Sequence, residues 1–168
     1  MADQSSLSIV IPIFNERESI PLLLDEIHSA VKGYDYEIIC VDDGSSDGTF
    51  EYLLHQSREN KRVRLIQFLR NYGKSAALSE GFKHAGSDFV VTLDSDLQDD
   101  PKEIPRLLEK LEEGFDLVSG WKQERRDPLS KRLPSRFFNL VTRLLTGIRI
   151  HDFNCGLKVY RRSVVKSL

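Results

Sequence analysis

The chain has 168 residues, 40% hydrophobic and 30% charged, with a formal net charge of −2. That is enough for one domain with a real core, and the balance excludes both a disordered chain and a strongly basic nucleic-acid binder. Two cysteines exclude a disulfide framework or a cysteine-rich zinc site, no apolar stretch approaches the length of a spanning helix, and the polar start Met1–Ser6 carries no signal-peptide pattern.

In chain order, Leu7–Phe14 is an apolar run that predicts a buried strand, with Pro12 near its end. Ile20, Leu23, Leu24, Ile27 and Val31 recur at helical spacing within 18–32. Tyr36–Val41 predicts a second strand, and Asp47 the N-cap of a helix running to about Arg58. Val63–Phe68 is a third strand, Lys74–Ala85 a helix ended by Gly86, and Phe89–Leu93 a fourth strand. Pro101 opens a helix through Glu113 that Gly114 closes, and Asp116–Ser119 is a short fifth strand. Alternation of this kind predicts an α/β fold, a mostly parallel sheet with helices on both faces. After Trp121 the alternation stops: 122–131 is a polar, basic loop, 133–150 has a helical pattern, and the end, Arg161–Leu168, reads as the start of a helix.

Charge is unevenly spread. Residues 1–120 carry 12 Lys/Arg against 23 Asp/Glu, a net −11, and residues 121–168 carry 12 against 3, a net +9. An acidic part followed by a basic part suits a single domain that holds a metal with one and an anion with the other, although drift in composition gives the same pattern.

In parallel sheets, ligands bind beyond the carboxyl ends of the strands. Asn15-Glu16, Asp42-Asp43, Arg70-Asn71 and Asp94-Ser95-Asp96 all fall just past predicted strand ends. Asp94 and Asp96 are a hard-cation pair to which Gln98 can add a third oxygen; the plain alternative is an acidic turn capping the next helix. Of Asp42 and Asp43, either can accept hydrogen bonds from a base or a ribose, with Gly44 letting the backbone turn closely. Lys74 sits beside Gly73 at a predicted helix start, where the helix dipole and the ammonium both favour an anion. Lys122, Arg125, Arg126 and Arg132 suit a phosphate-bearing partner, and the amphipathic 136–150 segment suits either a core helix or an anionic membrane surface. Asp152 stands alone among cations, as an ion-pair residue or a general base.

Taken together, IVIPIFNE (9–16), VDDGSSDGT (41–49), RNYGKSAAL (70–78), DSDLQDDP (94–101) and DFNCGLKVYRR (152–162) resemble a family 2 glycosyltransferase of the dolichol-phosphate mannose synthase and bacterial polyprenyl-phosphate glycosyltransferase branch. The resemblance covers nearly the whole chain. It implies a three-layer α/β/α nucleotide-diphospho-sugar transferase fold (the A-type glycosyltransferase fold). Residues 1–120 would be the nucleotide-sugar-binding part and 121–168 an incomplete acceptor-side part, because members of the branch usually continue past the equivalent of Leu168. It implies an inverting hexosyl transfer from GDP-mannose or a UDP-sugar to a dolichyl or undecaprenyl phosphate. Pro12, Phe14 and Glu16 would frame the nucleotide, Asp42 or Asp43 contact base or ribose, and Lys74 and Ser95 lie against the donor. Asp94, Asp96 and Gln98 would hold Mg2+ or Mn2+ on its diphosphate. Lys122, Arg125, Arg126 and Arg132 would meet the acceptor phosphate, with Asp152 as base or orienting group. The expected location is cytoplasmic, at a membrane face, with no nucleic-acid partner.

Two other classes stay in view. A non-catalytic fragment that only captures nucleotide-sugar has the same donor motifs. A haloacid-dehalogenase-like phosphotransferase also pairs a strand with Asp-x-Asp, but its motif usually places Thr or Val where Gln98 stands, and near the chain start. A dinucleotide-dependent oxidoreductase is disfavoured, since no Gly-x-Gly-x-x-Gly follows the first strand.

Overall fold

The computed structural model describes residues 6–120 and 155–167. The elements are β1 (Ser6–Ile13), α1 (Ile20–Ala30), β2 (Asp35–Asp42), α2 (Thr49–Glu59), β3 (Val63–Gln67), α3 (Lys74–His84) and β4 (Phe89–Thr92). A 3-10 turn (Pro101–Glu103), α4 (Ile104–Glu112), β5 (Leu117–Ser119), β6 (Lys158–Arg161) and a one-turn α5 (Arg162–Val165) follow. The basic loop and the helical pattern expected in 121–154, with Lys122, Arg125, Arg126, Arg132 and Asp152, lie outside the described residues.

The six strands form one sheet in the order β3-β2-β1-β4-β6-β5. β3, β2, β1 and β4 are mutually parallel, whereas β6 runs antiparallel to both β4 and β5. The predicted fifth strand therefore does not pair with the fourth; β6 enters between them. This strand is only four residues long, and Lys158-Val159-Tyr160-Arg161 is too short for a periodic signal; the helix start expected in Arg161–Leu168 is present as α5, directly after it.

Strand alternation sorts the core onto two faces. Leu7, Ile9, Ile11 and Ile13 of β1, Ile38 and Cys40 of β2, and Val91 of β4 pack with Leu23 and Ile27 of α1, Leu53 of α2, and Ile104, Leu108 and Leu111 of α4. Val10, Ile39, Val41 and Val90 turn the other way, toward Ala77 of α3 and Val165 of α5. Both faces of the sheet are covered, and this is why its central strands read as unbroken apolar runs. Each fully buried Ile or Leu contributes about 1.5–3 kcal/mol.

The ends of elements follow local chemistry. Pro lies in the first turn of α1 and of α4, where its missing N–H costs nothing. The expected N-cap Asp47 stands one position early: Gly48 is the cap residue of α2, while Asp47 Oδ1 accepts from the Thr49 amide at 3.0 Å and its hydroxyl at 2.6 Å. Asp100 caps the 3-10 turn by accepting from the Lys102 amide at 2.9 Å.

Candidate active site

The strand order reverses at β1 and β4, the switch point at which the loops after neighbouring strands diverge and leave a crevice. A cleft of about 320 Å3 opens there, lined by Pro12, Ile13, Phe14, Glu16, Asp43, Asn71, Gly73, Lys74, Asp94, Ser95 and Asp96.

Period two explains which side chains reach it. Pro12 continues the parity of Val10, Asp43 that of Ile39 and Val41, and Asp94 that of Val90 and Thr92, so all three turn to the face that α3 covers. Asp42 has the opposite parity, shared with Ile38 and Cys40. It is fully buried and does not line the cleft. Neither of its carboxylate oxygens makes a hydrogen bond of ordinary geometry. Burial pushes its pKa above the usual aspartate range, the nearby hydroxyl and amide of Ser45 offset part of that rise, and the charges of Asp47 and Asp43 add to it.

Asp43 is spent on the backbone. Its Oδ1 accepts from the Tyr72 amide at 2.7 Å and its Oδ2 from the Gly73 amide at 2.8 Å. The anion favoured at the start of α3 is thus, in the first instance, the protein's own carboxylate. Gly44 makes the same approach possible: at φ 75°, a Cβ there would meet the Arg70 backbone carbon at 2.6 Å. Asp43 and Gly44 together clip the loop before α3 against the end of β2 and so fix where Lys74 begins.

The rest of the 41–49 motif holds the other loop. Ser45 Oγ accepts from the Asn15 amide at 2.9 Å, Asn15 Oδ1 from the Ser46 amide at 2.8 Å, Thr49 Oγ1 from the Glu16 amide at 3.0 Å, and Asp47 Oδ2 from the Arg17 amide at 3.1 Å. Glu16 Oε2 in turn accepts from Ser19 Oγ at 2.5 Å. Asn15 takes φ 55°, a conformation Asn tolerates. The signal for these tethers was the density of short polar side chains, but nothing in the sequence pairs Asn15 with Ser45.

Lys74 Nζ donates to Asp94 Oδ1 at 2.5 Å across the cleft. The lining holds four carboxylates, Glu16, Asp43, Asp94 and Asp96, against this one ammonium. Asp94 and Asp96 offer hard oxygen donors of the kind a divalent cation takes, and Asp94 already accepts a cationic donor. No third His, Cys, Asp or Glu joins them in a metal-sized group among the described residues. Gln98, named with them from sequence, lines a different hollow of about 810 Å3 with Asp99, Arg106 and Gly120. Between Asp96 and Gln98 the chain turns sharply, with Leu97 at φ 60° and the Gln98 amide donating to Asp96 Oδ1 at 3.1 Å.

A profile of glycosyl transferase family 2 matches residues 8–168. The chain belongs to glycosyl transferase family 2. It is 42% identical over 165 residues to an undecaprenyl-phosphate 4-deoxy-4-formamido-L-arabinose transferase from Pseudomonas paraeruginosa, covering 96% of this chain and 49% of that one. The chain thus spans about half the length of the curated relatives it matches. Among solved structures, glucosyl-3-phosphoglycerate synthase from Mycobacterium tuberculosis, in complex with Mn2+, UDP and phosphoglyceric acid, superposes with a TM-score of 0.77 at 26% identity, covering 98% of this chain and 58% of that chain. A mannosyltransferase from Pyrobaculum calidifontis, in complex with GDP-Man and Mn2+, shares the fold at a TM-score of 0.72 and 22% identity, over 99% of this chain and 47% of that one. The expected family and A-type fold are borne out, and the dehalogenase-like alternative is set aside.

Proposed function

We propose that this chain is the donor-binding part of an inverting glycosyltransferase that moves a hexose-type sugar from GDP-mannose or a UDP-sugar to a polyprenyl phosphate, dolichyl or undecaprenyl, at the cytoplasmic face of a membrane. The observation that carries the reading is the meeting of Asp94, Asp96 and Lys74 in one cleft at the switch point of the sheet. Family membership and the undecaprenyl-phosphate transferase relative support the reaction class.

Each lining group has a task in that chemistry. Asp94 and Asp96 would hold Mg2+ or Mn2+, which when bound neutralises charge on the donor diphosphate. Lys74 sets a second positive charge against the departing nucleoside diphosphate. Pro12 and the half-exposed ring of Phe14 give the nucleotide an apolar wall. Asp43 acts through the backbone, by fixing the start of α3. Ser95 lies in the same lining and would sit against the donor. The acceptor phosphate oxygen is already ionised at neutral pH, so it needs alignment more than deprotonation as it attacks the anomeric carbon and the diphosphate leaves. Asp152 would orient the acceptor, and Lys122, Arg125, Arg126 and Arg132 would pair with its phosphate. No described helix is long and apolar enough to cross a membrane. The basic residues would also suit an anionic lipid surface.

A thermal-shift screen of nucleotide-sugars tests this, since only a ligand of the folded state raises the melting point. A GDP- or UDP-sugar should raise it with Mn2+ present, and neither EDTA-treated protein nor Asp96→Ala should respond. A shift that survives EDTA would count against the metal assignment. Binding without any transfer to a polyprenyl phosphate in detergent would favour the fragment that only captures donor.

A further inference from the structure

Gly156 belongs to the described end of the acceptor-side motif and lies just before β6. Its φ is not in the left-handed region, so its backbone alone does not demand glycine. Space does: a Cβ at this position would sit 2.3 Å from Asp94 Cγ, 2.4 Å from Oδ2 and 2.5 Å from Oδ1, and these three are its nearest heavy atoms. Real Cβ atoms do not approach a carboxylate so closely. The Gly156 carbonyl is fixed in turn, because it accepts from Thr92 Oγ1 at 2.7 Å in a buried hydrogen bond. Thr92 lies two residues before Asp94 and faces the same side of β4.

The carboxylate is therefore confined on two sides. The bare backbone of Gly156 floors it, and Lys74 meets it from α3 at 2.5 Å. Asp94 and Gly156 also line a smaller hollow of about 210 Å3, together with Lys74, Thr92, Lys158 and Tyr160.

We propose that Gly156 is a positioning residue: its missing side chain forms the seat that holds the Asp94 carboxylate toward the donor cleft, so the acceptor-side segment sets the geometry of the donor-side ligand. The proposal rests on the reading of Asp94 as a cation ligand given above, but its structural half stands apart from it.

A double-mutant cycle on the full chain separates the two. Gly156→Ala should lower the melting temperature by about 3–10 °C. The same substitution in an Asp94→Ala background should lower it by far less, because the atoms that the new methyl group meets are gone. Titrating Mn2+ by electron paramagnetic resonance should show at least about a fivefold loss of affinity in Gly156→Ala, and no further loss when Gly156→Ala is added to Asp94→Ala. If Gly156→Ala alone fails to fold while the double variant folds, the seat is supported; if both fail, or if the melting-point loss is equal in the two backgrounds, the proposal is overturned. A cycle that shows coupling in a protein that binds no Mn2+ would uphold the seat and refute the cation reading.

Discussion

Lys74 and Asp94 form an ion pair at 2.5 Å that joins the start of α3 to the end of β4 in the lining of the cleft. The lysine side chain is half exposed and the aspartate largely shielded. A divalent ion and this ammonium would draw on the same carboxylate. Removing the ammonium in Lys74→Met should therefore strengthen binding of Mn2+ alone. Exposed pairs of this kind contribute about 0.2–1 kcal/mol, so the gain is at most about fivefold. Nucleotide-sugar binding should move the opposite way, since the lysine no longer faces the diphosphate. Calorimetry with Mn2+ alone, then with a nucleotide-sugar at saturating Mn2+, reads the two effects. Parallel losses in both would show that Lys74 only supports the fold.

Asp43 should matter for stability before it matters for binding. Its two oxygens each accept a backbone amide, and hydrogen bonds to a charged acceptor contribute about 1.5–3 kcal/mol. Asp43→Asn is not conservative here, because its NH2 group would face one of the two amide donors. We expect a drop of about 2–3 kcal/mol in a urea melt, with the midpoint moved and the slope unchanged. Donor affinity should fall with it as the start of α3 loosens. An unaltered midpoint would mean that the clip contributes nothing.

Much of this site is legible in the sequence because strands of period two end in charged residues. Alternation alone tells that Asp94 shares a face with Thr92 and Val90, and that Asp43 and Asp42 part company. What it does not tell is which of those two faces the cleft, since that depends on the side α3 takes. Nor does it give the partners: Ser45 with Asn15, Thr49 with Glu16 and Asp94 with Gly156 are contacts across loops, set by the three-dimensional course of the chain. A glycine beside a strand often marks a close approach, but the strand beside Gly156 is itself not legible in the sequence. β6 was missed because four residues inserted antiparallel between β4 and β5 leave no period to read.

Leu97 should respond to backbone shape more than to size. It stands at φ 60° between the cleft residue Asp96 and Gln98, and a left-handed conformation costs an ordinary residue about 1–2 kcal/mol. Asparagine tolerates that region, whereas a β-branched residue is strained further. Leu97→Asn should stay within about 0.5 kcal/mol of the parent, its backbone relief offsetting lost burial, and Leu97→Ile should be about 1–2 kcal/mol less stable despite its equal volume. Chemical denaturation of the three proteins gives the ranking. Isoleucine ranking above asparagine would show that packing, not the turn, decides the position.

Asp42 should make stability fall as pH rises. In the unfolded chain it titrates as an ordinary aspartate; in the folded chain burial raises its pKa, so over the interval between the two values the native state holds more protons than the unfolded one. Stability from this group is then full below the unfolded value and is lost as pH climbs through the folded one. The charges at Asp47 and Glu37 work in the other direction: burial opposes the charged form, but hydrogen bonds outweigh it and hold both below the usual range, so the native state releases their protons first and loses their contribution as pH falls. The two trends overlap, and a bare pH profile would mix them. Asp42→Asn separates them, because it removes one titration and keeps the shape. Melting temperatures of parent and variant should lie close at pH 3 and diverge toward neutral pH, with the variant the more stable by about 1–3 kcal/mol once a charge no longer sits in the core without good hydrogen bonds. The same substitution distinguishes a structural burden from a functional one: if Asp42 is kept for the nucleotide rather than for the fold, the stabilised variant should bind donor more weakly. A gap that stays constant from pH 3 to pH 7 would show that Asp42 titrates alike in the folded and unfolded chains, so that burial does not raise its pKa.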